Sequence, residues 1–582
     1  MTPRWYGVVA TIAVGALALR LQAIDFGLPS VYNPDEVAIM SRALAFAKGD
    51  LNPRNFVYPT FYFYLLFAWV GAAFLWQRAT GAVASAAEFQ ARFFVDPTSV
   101  FVAGRTLSAL AGALTTGAVA LLGRTVFDPV TGIAAAMLLA VSPLAVQDAH
   151  YVKHDVPVTL VITIAVWLMA RCWPEESSGL KNRYQSALIL PAIATGVAWS
   201  MHYYAVFLGL PLVLTAWVAR SDRRPLDILR AATAMVAIAV AVFFLLSPFL
   251  LVEPATALRD LTANRQTVVD RGIAAGVLHN LRRYAEMLVT TGVSGPVAAL
   301  AGAGAVWLVW RRPRLALLLL SFPTAFLLFI GFYSESGVAD PPARYLNPLL
   351  PFVALLGAHA IVTVARAISP RPSLAVALTV LAAWLPLSSS LEIGRFFAQS
   401  DTRTLARTFI ESTVPSGRTV LIQPYSVPLH ESREGLVSAV LEHAGSLDRI
   451  STKSRLRLAT SPWPQPAYRL VWLGDGGLDD DKIYVSPSAL QQDPLSALRA
   501  RGIDIVILKG FDEPDPSLAT LMEALTRQAR PLATVSPYRE DAKRAGRPFL
   551  HNRDATIRPD LTRPGPEIHI FEVPGRPPDG LQ

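Results

Sequence analysis

Cysteine is almost missing from this 582-residue chain, in which Cys172 stands alone. A single thiol excludes an intrachain disulfide framework and any metal centre built on paired thiolates. Charge is also scarce: Asp, Glu, Lys and Arg make up 16% of the residues against 53% hydrophobic, where a soluble globular chain carries roughly a quarter charged. The shortage is local. Long apolar runs fill 1–392, whereas 393–582 has the mixed polarity of a domain folded in water, so two parts facing different solvents are expected. Acids are the scarcer sign, 43 against 52 bases, for a net charge of +9. That excess does not point to nucleic acid. Arg220, Arg223, Arg224, Arg311, Arg312 and Arg314 cluster at the ends of apolar runs, where cytoplasmic anchoring accounts for them.

Apolar runs near 5–24, 100–122, 130–147, 156–172, 187–201, 203–219, 231–251, 291–310, 315–333, 346–366 and 373–391 each approach the roughly 20 residues a spanning helix needs, about eleven in all. The short basic connections 171–183, 220–230, 311–314 and 365–373 are assigned to the cytoplasm. The outer face then receives 25–99, 147–155, 252–290, 334–344 and the C-terminal part. The N-terminus is read as cytoplasmic and as a retained first helix, since no convincing cleavage site follows Trp5–Leu19. The run 59–76 is apolar enough to cross. A crossing there would invert every later loop, and 79–98 is too polar to return, so an interfacial or re-entrant helix in the first outer loop is predicted.

Beyond 393 the period changes. Asp401 is placed to cap a helix through Ser412, and 516–529 reads as a second amphipathic helix. The runs 418–424, 482–487, 503–510 and 568–573 read as strands. The expected architecture is an all-α membrane bundle (1–392) followed by an extracytoplasmic α/β domain (393–582).

Three polar segments interrupt the apolar pattern. In 31–46, Asp35 and Glu36 follow Pro34 at a helix start; capping explains them, and so does a carboxylate held for use at the hydrocarbon edge. In 142–160, Asp148, His150, Lys153, His154 and Asp155 crowd one turn. Asp155 is a candidate helix cap or active-site acid, and His150 and His154, four apart, are candidate ligands for a divalent metal ion. In 337–357, Arg344 and Tyr345 precede a spanning run, placing a guanidinium suited to phosphate at the interface, although snorkelling explains it equally. Arg105, at the outer end of its helix, is a similar candidate, and His202, with Tyr203 and Tyr204 at an outer turn, is a candidate to line a sugar site, although an aromatic belt explains it better.

Taken in order, these motifs resemble the GT-C family of polyprenyl-phosphate-sugar-dependent glycosyltransferases, which includes the protein O-mannosyltransferases and the lipid A aminoarabinose transferases. The likeness is carried over 1–400 by the acidic pair Asp35-Glu36 after the first helix, Tyr58-Pro59-Thr60-Phe61-Tyr62, Arg105-Thr106-Leu107-Ser108-Ala109, the Tyr151-to-Asp155 spacing, and Arg344-Tyr345 before Pro348 and Pro351. Tyr58-Pro59-Thr60 departs from the family's His-Pro-Pro. The resemblance implies transfer of a sugar from a polyprenyl-phosphate carrier to a lipid, glycan or protein acceptor at the outer face of a bacterial inner membrane. Asp35 would be the base, Glu36 its neighbour and Asp155 a second acid, with Arg344, Tyr345, Lys153, Arg105, Tyr58 and His202 around the substrate. A single base without a covalent nucleophile implies inversion. The competing expectation is a transporter or flippase, which would carry its ionisable groups near the midplane.

Overall fold

The computed structural model describes residues 3–173, 188–219, 224–272, 276–332, 341–447, 450–476, 481–510 and 516–574. The parts of the expected connections at 174–183, 220–223, 273–275 and 334–340 lie outside them. Two compact units divide the chain. The first takes Met1–Ile24, Pro34–Ala73 and Phe101–Gly394; the second takes Asp25–Asn33, Phe74–Val100 and Arg395–Gln582. Division by polarity alone leaves 25–33 and 74–100 unassigned to the second unit, because both are short and lie inside the membrane part of the sequence.

The first unit is helical, and every apolar run of the sequence carries a helix. Among the described residues, six helical stretches, beginning at Pro3, Thr98, Pro225, Pro313, Ala343 and Pro372, are long and apolar enough to cross a membrane; Pro129–Ala140, Asp155–Ala170, Ile189–Met201 and Tyr203–Ala219 are apolar but shorter. Local chemistry sets several starts. Asp128 accepts from the Val130 and Thr131 amides ahead of Pro129 at the first turn, a combination that satisfies orphan donors and pre-sets φ. Phe61–Ala79, expected as an interfacial helix over 59–76, is one unbroken helix and is not among the six.

Small residues let these helices approach closely. A methyl added at Gly304 would stand 2.4 Å from the Leu356 carbonyl oxygen, which is backbone and cannot yield, while Gly302, on the same helix Gly295–Arg311, has nothing within 4 Å. Gly304→Ala is therefore expected to cost about 1–3 kcal/mol and to lower the unfolding temperature of the purified protein in detergent. Gly302→Ala should leave it unchanged or raise it. Equal shifts for the two would refute the packing.

Before Phe61 the backbone is irregular and is held by side chains of other elements. The Phe56 amide donates to Asp260 Oδ2 at 2.9 Å, the Tyr203 hydroxyl to the Phe56 carbonyl at 2.9 Å, and the Thr60 amide to Ser247 Oγ at 3.1 Å. Those bonds satisfy backbone groups that no helix serves and fix where Tyr58 points.

The second unit is built on one six-stranded sheet. In chain order the strands are β1 (Thr419–Ile422), β2 (Arg469–Leu473), β3 (Ile483–Val485), β4 (Ile505–Gly510), β5 (Arg530–Val535) and β6 (Glu567–Glu572), arranged β3-β2-β1-β4-β6-β5. The first four in that arrangement run parallel; β6 is antiparallel to β4 and to β5. Apolar residues bury both faces, Leu421, Val506 and Leu508 on one and Val420, Ile505 and Ile507 on the other, as a covered parallel sheet requires. Helix Thr402–Thr413 is capped by Asp401, whose carboxylate takes the Arg403 amide. β2 and β5 were not expected. β2 is five residues long with Pro464 and Pro466 just before it, and β5 is a partly exposed edge strand that follows helix Ala519–Gln528 almost directly.

Candidate active site

Helix Pro34–Ala45 begins with Pro34 at its first turn and carries Asp35 and Glu36 there. Positions 35, 38, 39 and 42 share one face of a 3.6-residue helix, and Asp35, Ala38, Ile39 and Arg42 line a cavity of about 230 Å³. Val57 and Tyr58 come from the pinned irregular stretch, Lys153, His154 and Asp155 from the turn leading into helix Asp155–Ala170, His202 from between two helices, and Arg344 and Tyr345 from the turn before Leu350–Ile368. Every one of these belongs to the first unit.

Inside the cavity charge is matched closely around one carboxylate. Lys153 Nζ lies 2.9 Å from Asp35 Oδ2, and Arg344 Nη1 lies 3.8 Å from the same oxygen. Burial pushes the Asp35 carboxyl up, and the charges of Lys153 and Arg344 outweigh it, so the group is held below the usual carboxylate range. The Asn347 amide nitrogen donates to the buried Asp148 carboxylate and, at 3.0 Å, to the Arg344 carbonyl, which fixes the turn that presents Arg344. Asp155 is buried at its helix start.

The opposite wall is aromatic. The Tyr58 and His154 rings meet edge to face with centroids 4.0 Å apart, and His154 stacks on His202 at 4.7 Å. Burial lifts the Tyr58 hydroxyl to about 12 and lowers His154 to about 4, so near neutrality the wall holds a neutral phenol and a neutral imidazole. Flat faces beside carboxylates and cations suit a pyranose ring and an attached phosphate.

Of the residues singled out from the sequence, Asp35, Tyr58, Lys153, His154, Asp155, His202, Arg344 and Tyr345 line this cavity, and Glu36, Arg105 and His150 do not. Glu36 points away from Asp35 into a buried ion pair. Arg105 Nε and Nη2 each lie 3.0 Å from a Glu36 carboxylate oxygen, and Arg105 Nη1 donates to the Ile24 carbonyl at 2.9 Å. Neighbours in a helix point about 100° apart, so the acidic pair could not serve one site. His150 is occupied in the same way, with its ring nitrogens 2.8 Å from the Val146 and Gln22 carbonyls. The His150–His154 pair therefore does not fit a metal ion, and among the described residues no three His, Cys, Asp or Glu side chains converge as a ligand set. Sequence reasoning passed over Arg42 and Asn347. The spacing of Arg42, seven residues after Asp35 on the same helical face, was the available signal.

Residues 89–251 match the model of the dolichyl-phosphate-mannose-protein mannosyltransferase family. No curated protein sequence matches the chain. The fold is that of ArnT from Cupriavidus metallidurans: the structure bound to undecaprenyl phosphate aligns over 98% of both chains at 13% identity with a TM-score of 0.52. The apo structure of the same protein aligns over 91% of this chain and 96% of its own, at 14% identity and a TM-score of 0.53. The chain therefore has a GT-C fold with helices long and apolar enough to cross a membrane, and its 89–251 segment matches the mannosyltransferase family model. Within that class the chain is similar to ArnT along nearly its whole length and to the mannosyltransferase family over 89–251.

Proposed function

We propose that this protein moves a sugar from a polyprenyl-phosphate carrier to an acceptor hydroxyl at the outer face of a bacterial plasma membrane, with inversion and with Asp35 as the base. The observation that carries the reading is the position of Asp35 between Lys153 and Arg344 in one cavity. An acceptor oxygen attacks the anomeric carbon, its proton passes to the Asp35 carboxylate, and the bond from that carbon to the phosphate oxygen breaks. The polyprenyl phosphate departs as a stable anion, so no strong acid is needed. Lys153 and Arg344, which neutralise Asp35 in the donor-free state, are the cations available to meet the growing phosphate charge. No covalent nucleophile is invoked, and inversion follows. The aromatic wall of Tyr58, His154 and His202 receives the sugar ring.

The similarity to ArnT supports a lipid-phosphate donor, and the N-terminus and basic connections are assigned to the cytoplasm by the charge asymmetry. The test is release of polyprenyl phosphate from a polyprenyl-phosphate sugar by the purified protein in detergent. Lys153→Met is expected to raise the donor KM by about ten- to a hundredfold, the worth of one charge-assisted contact. An unchanged donor KM would remove Lys153 from the phosphate site.

A further inference from the structure

Away from the cavity around Asp35, the first unit buries a second guanidinium. Arg20 stands in the last turn of helix Pro3–Leu21 and is 0% exposed. Among the described residues no acid forms an ion pair with it. Its Nη1 donates to the Ala16 carbonyl at 2.9 Å and to the Ala140 carbonyl at 3.0 Å, while its Nε has no acceptor. Buried carboxylates of the same unit are engaged elsewhere, Glu36 by Arg105 and Asp148 by Asn347. The two carbonyls lie near helix C-termini, which carry a partial negative charge. That contact returns only a fraction of the cost of taking a full charge out of water, so a buried ion is normally paired. An exposed arginine would find its balance in solvent; this one has none.

Arg20 lines a cavity of about 20 Å³, together with Thr115, Thr159, Asn347 and apolar side chains such as Leu350. A glycine makes the room: a methyl added at Gly112 would stand 2.6 Å from Arg20 Nε. One water needs roughly 10–15 Å³, so the space takes a single guest of water size or slightly larger. A phosphate or carboxylate group is too big for it, which separates this site from the cavity of about 230 Å³ around Asp35. The Thr115 and Thr159 hydroxyls donate to the Ala111 and Asp155 carbonyls, each at 2.7 Å. Those carbonyls lie four residues back in the same helices and already accept a backbone N–H. Either hydroxyl hydrogen can therefore turn toward the cavity without orphaning a carbonyl. A water there would leave the guanidinium charge unanswered; a monatomic anion answers it and fits. We infer that this cavity binds one halide ion, chloride in ordinary salt, held by the Arg20 guanidinium and the two threonine hydroxyls. The site stands independently of the sugar-transfer reading.

The experiment unfolds the full-length protein thermally in detergent, in sodium chloride, sodium bromide and sodium gluconate at one ionic strength. A ligand of the native state raises the unfolding temperature with the logarithm of its concentration once its Kd is passed. Expected is such a rise for both halides above about 10 mM and none for gluconate, which the cavity excludes by size. Thr115→Val combined with Thr159→Val keeps the shape of both side chains and is expected to weaken the apparent halide affinity by at least about tenfold, the worth of hydrogen bonds to an ion. General salt effects act on this variant as on the wild type and cancel in the comparison. Arg20→Met should abolish the dependence; if it does not fold, the threonine pair decides. Crystals grown in bromide should show an anomalous peak beside Arg20 Nε. Equal unfolding temperatures in halide and gluconate, a halide dependence untouched by the threonine pair, or density beside Arg20 with no anomalous signal (a water) would each overturn the inference.

Discussion

Asp35→Asn is expected to lower turnover of a polyprenyl-phosphate sugar by about a thousandfold, the middle of the range for a positioned general base. Donor binding should survive or tighten, because the substitution leaves Lys153 and Arg344 with no carboxylate to compete with the phosphate. The pH dependence separates this role from a structural one. In the free protein burial raises the Asp35 pKa, but the two cations outweigh it and hold the group below the usual carboxylate range. The base is therefore ionised throughout pH 5–8, and kcat/KM, which reports the free enzyme, should show no acid limb from Asp35 in that window. Once the donor phosphate takes a share of Lys153 and Arg344, the depressing charges are partly neutralised and the carboxylate becomes more basic. The acid limb of kcat, which reports the substrate complex, should then lie at higher pH than that of kcat/KM. Full activity of Asp35→Asn, or coincident limbs in both profiles, would assign the proton to another group.

The membrane helices were legible because hydropathy reads long apolar runs directly: each of those runs contains a helix. The cavity was legible for a different reason. Lys153 and Asp155 stand out because charged residues are rare in such a sequence, His202 was a candidate from its place at an outer turn, and Tyr58 followed from the family resemblance. What could not be read was direction. Asp35 and Glu36 are adjacent and chemically alike, yet one faces the cavity and the other faces Arg105, a choice made by helix phase and by where helix Thr98–Val126 lies. His150 was misjudged for the same reason, since two backbone carbonyls far apart in sequence claim its ring. In the soluble unit, β1, β4 and β6 showed themselves by apolar runs, while β5 at the sheet edge buries too little for its pattern to stand out.

The second large effect expected is on stability, and it concerns the residue next to the base. Glu36 and Arg105 side chains are both fully buried, and the Glu36 carboxylate also accepts the Val152 amide at 2.9 Å. One carboxylate therefore joins helix Pro34–Ala45, helix Thr98–Val126 and the turn that carries Lys153 and Asp155. Removing a single partner leaves a buried charge uncompensated, which costs about 3–5 kcal/mol. Glu36→Gln and Arg105→Met should each lower the unfolding temperature in detergent markedly and reduce turnover as well, because the turn bearing Lys153 loses its anchor. A buried pair replaced on both sides by apolar groups is often near neutral, so Glu36→Leu combined with Arg105→Met should unfold at a higher temperature than either single variant, a positive coupling that independent sites would not give. If Glu36 acted instead on the reacting atoms, Glu36→Gln would abolish turnover while leaving the unfolding temperature unchanged, and restoring stability through Arg105 would return no activity. The structure favours the first pattern: both Glu36 oxygens are engaged by Arg105, one of them also by the Val152 amide, and Glu36 does not line the cavity where Asp35 works.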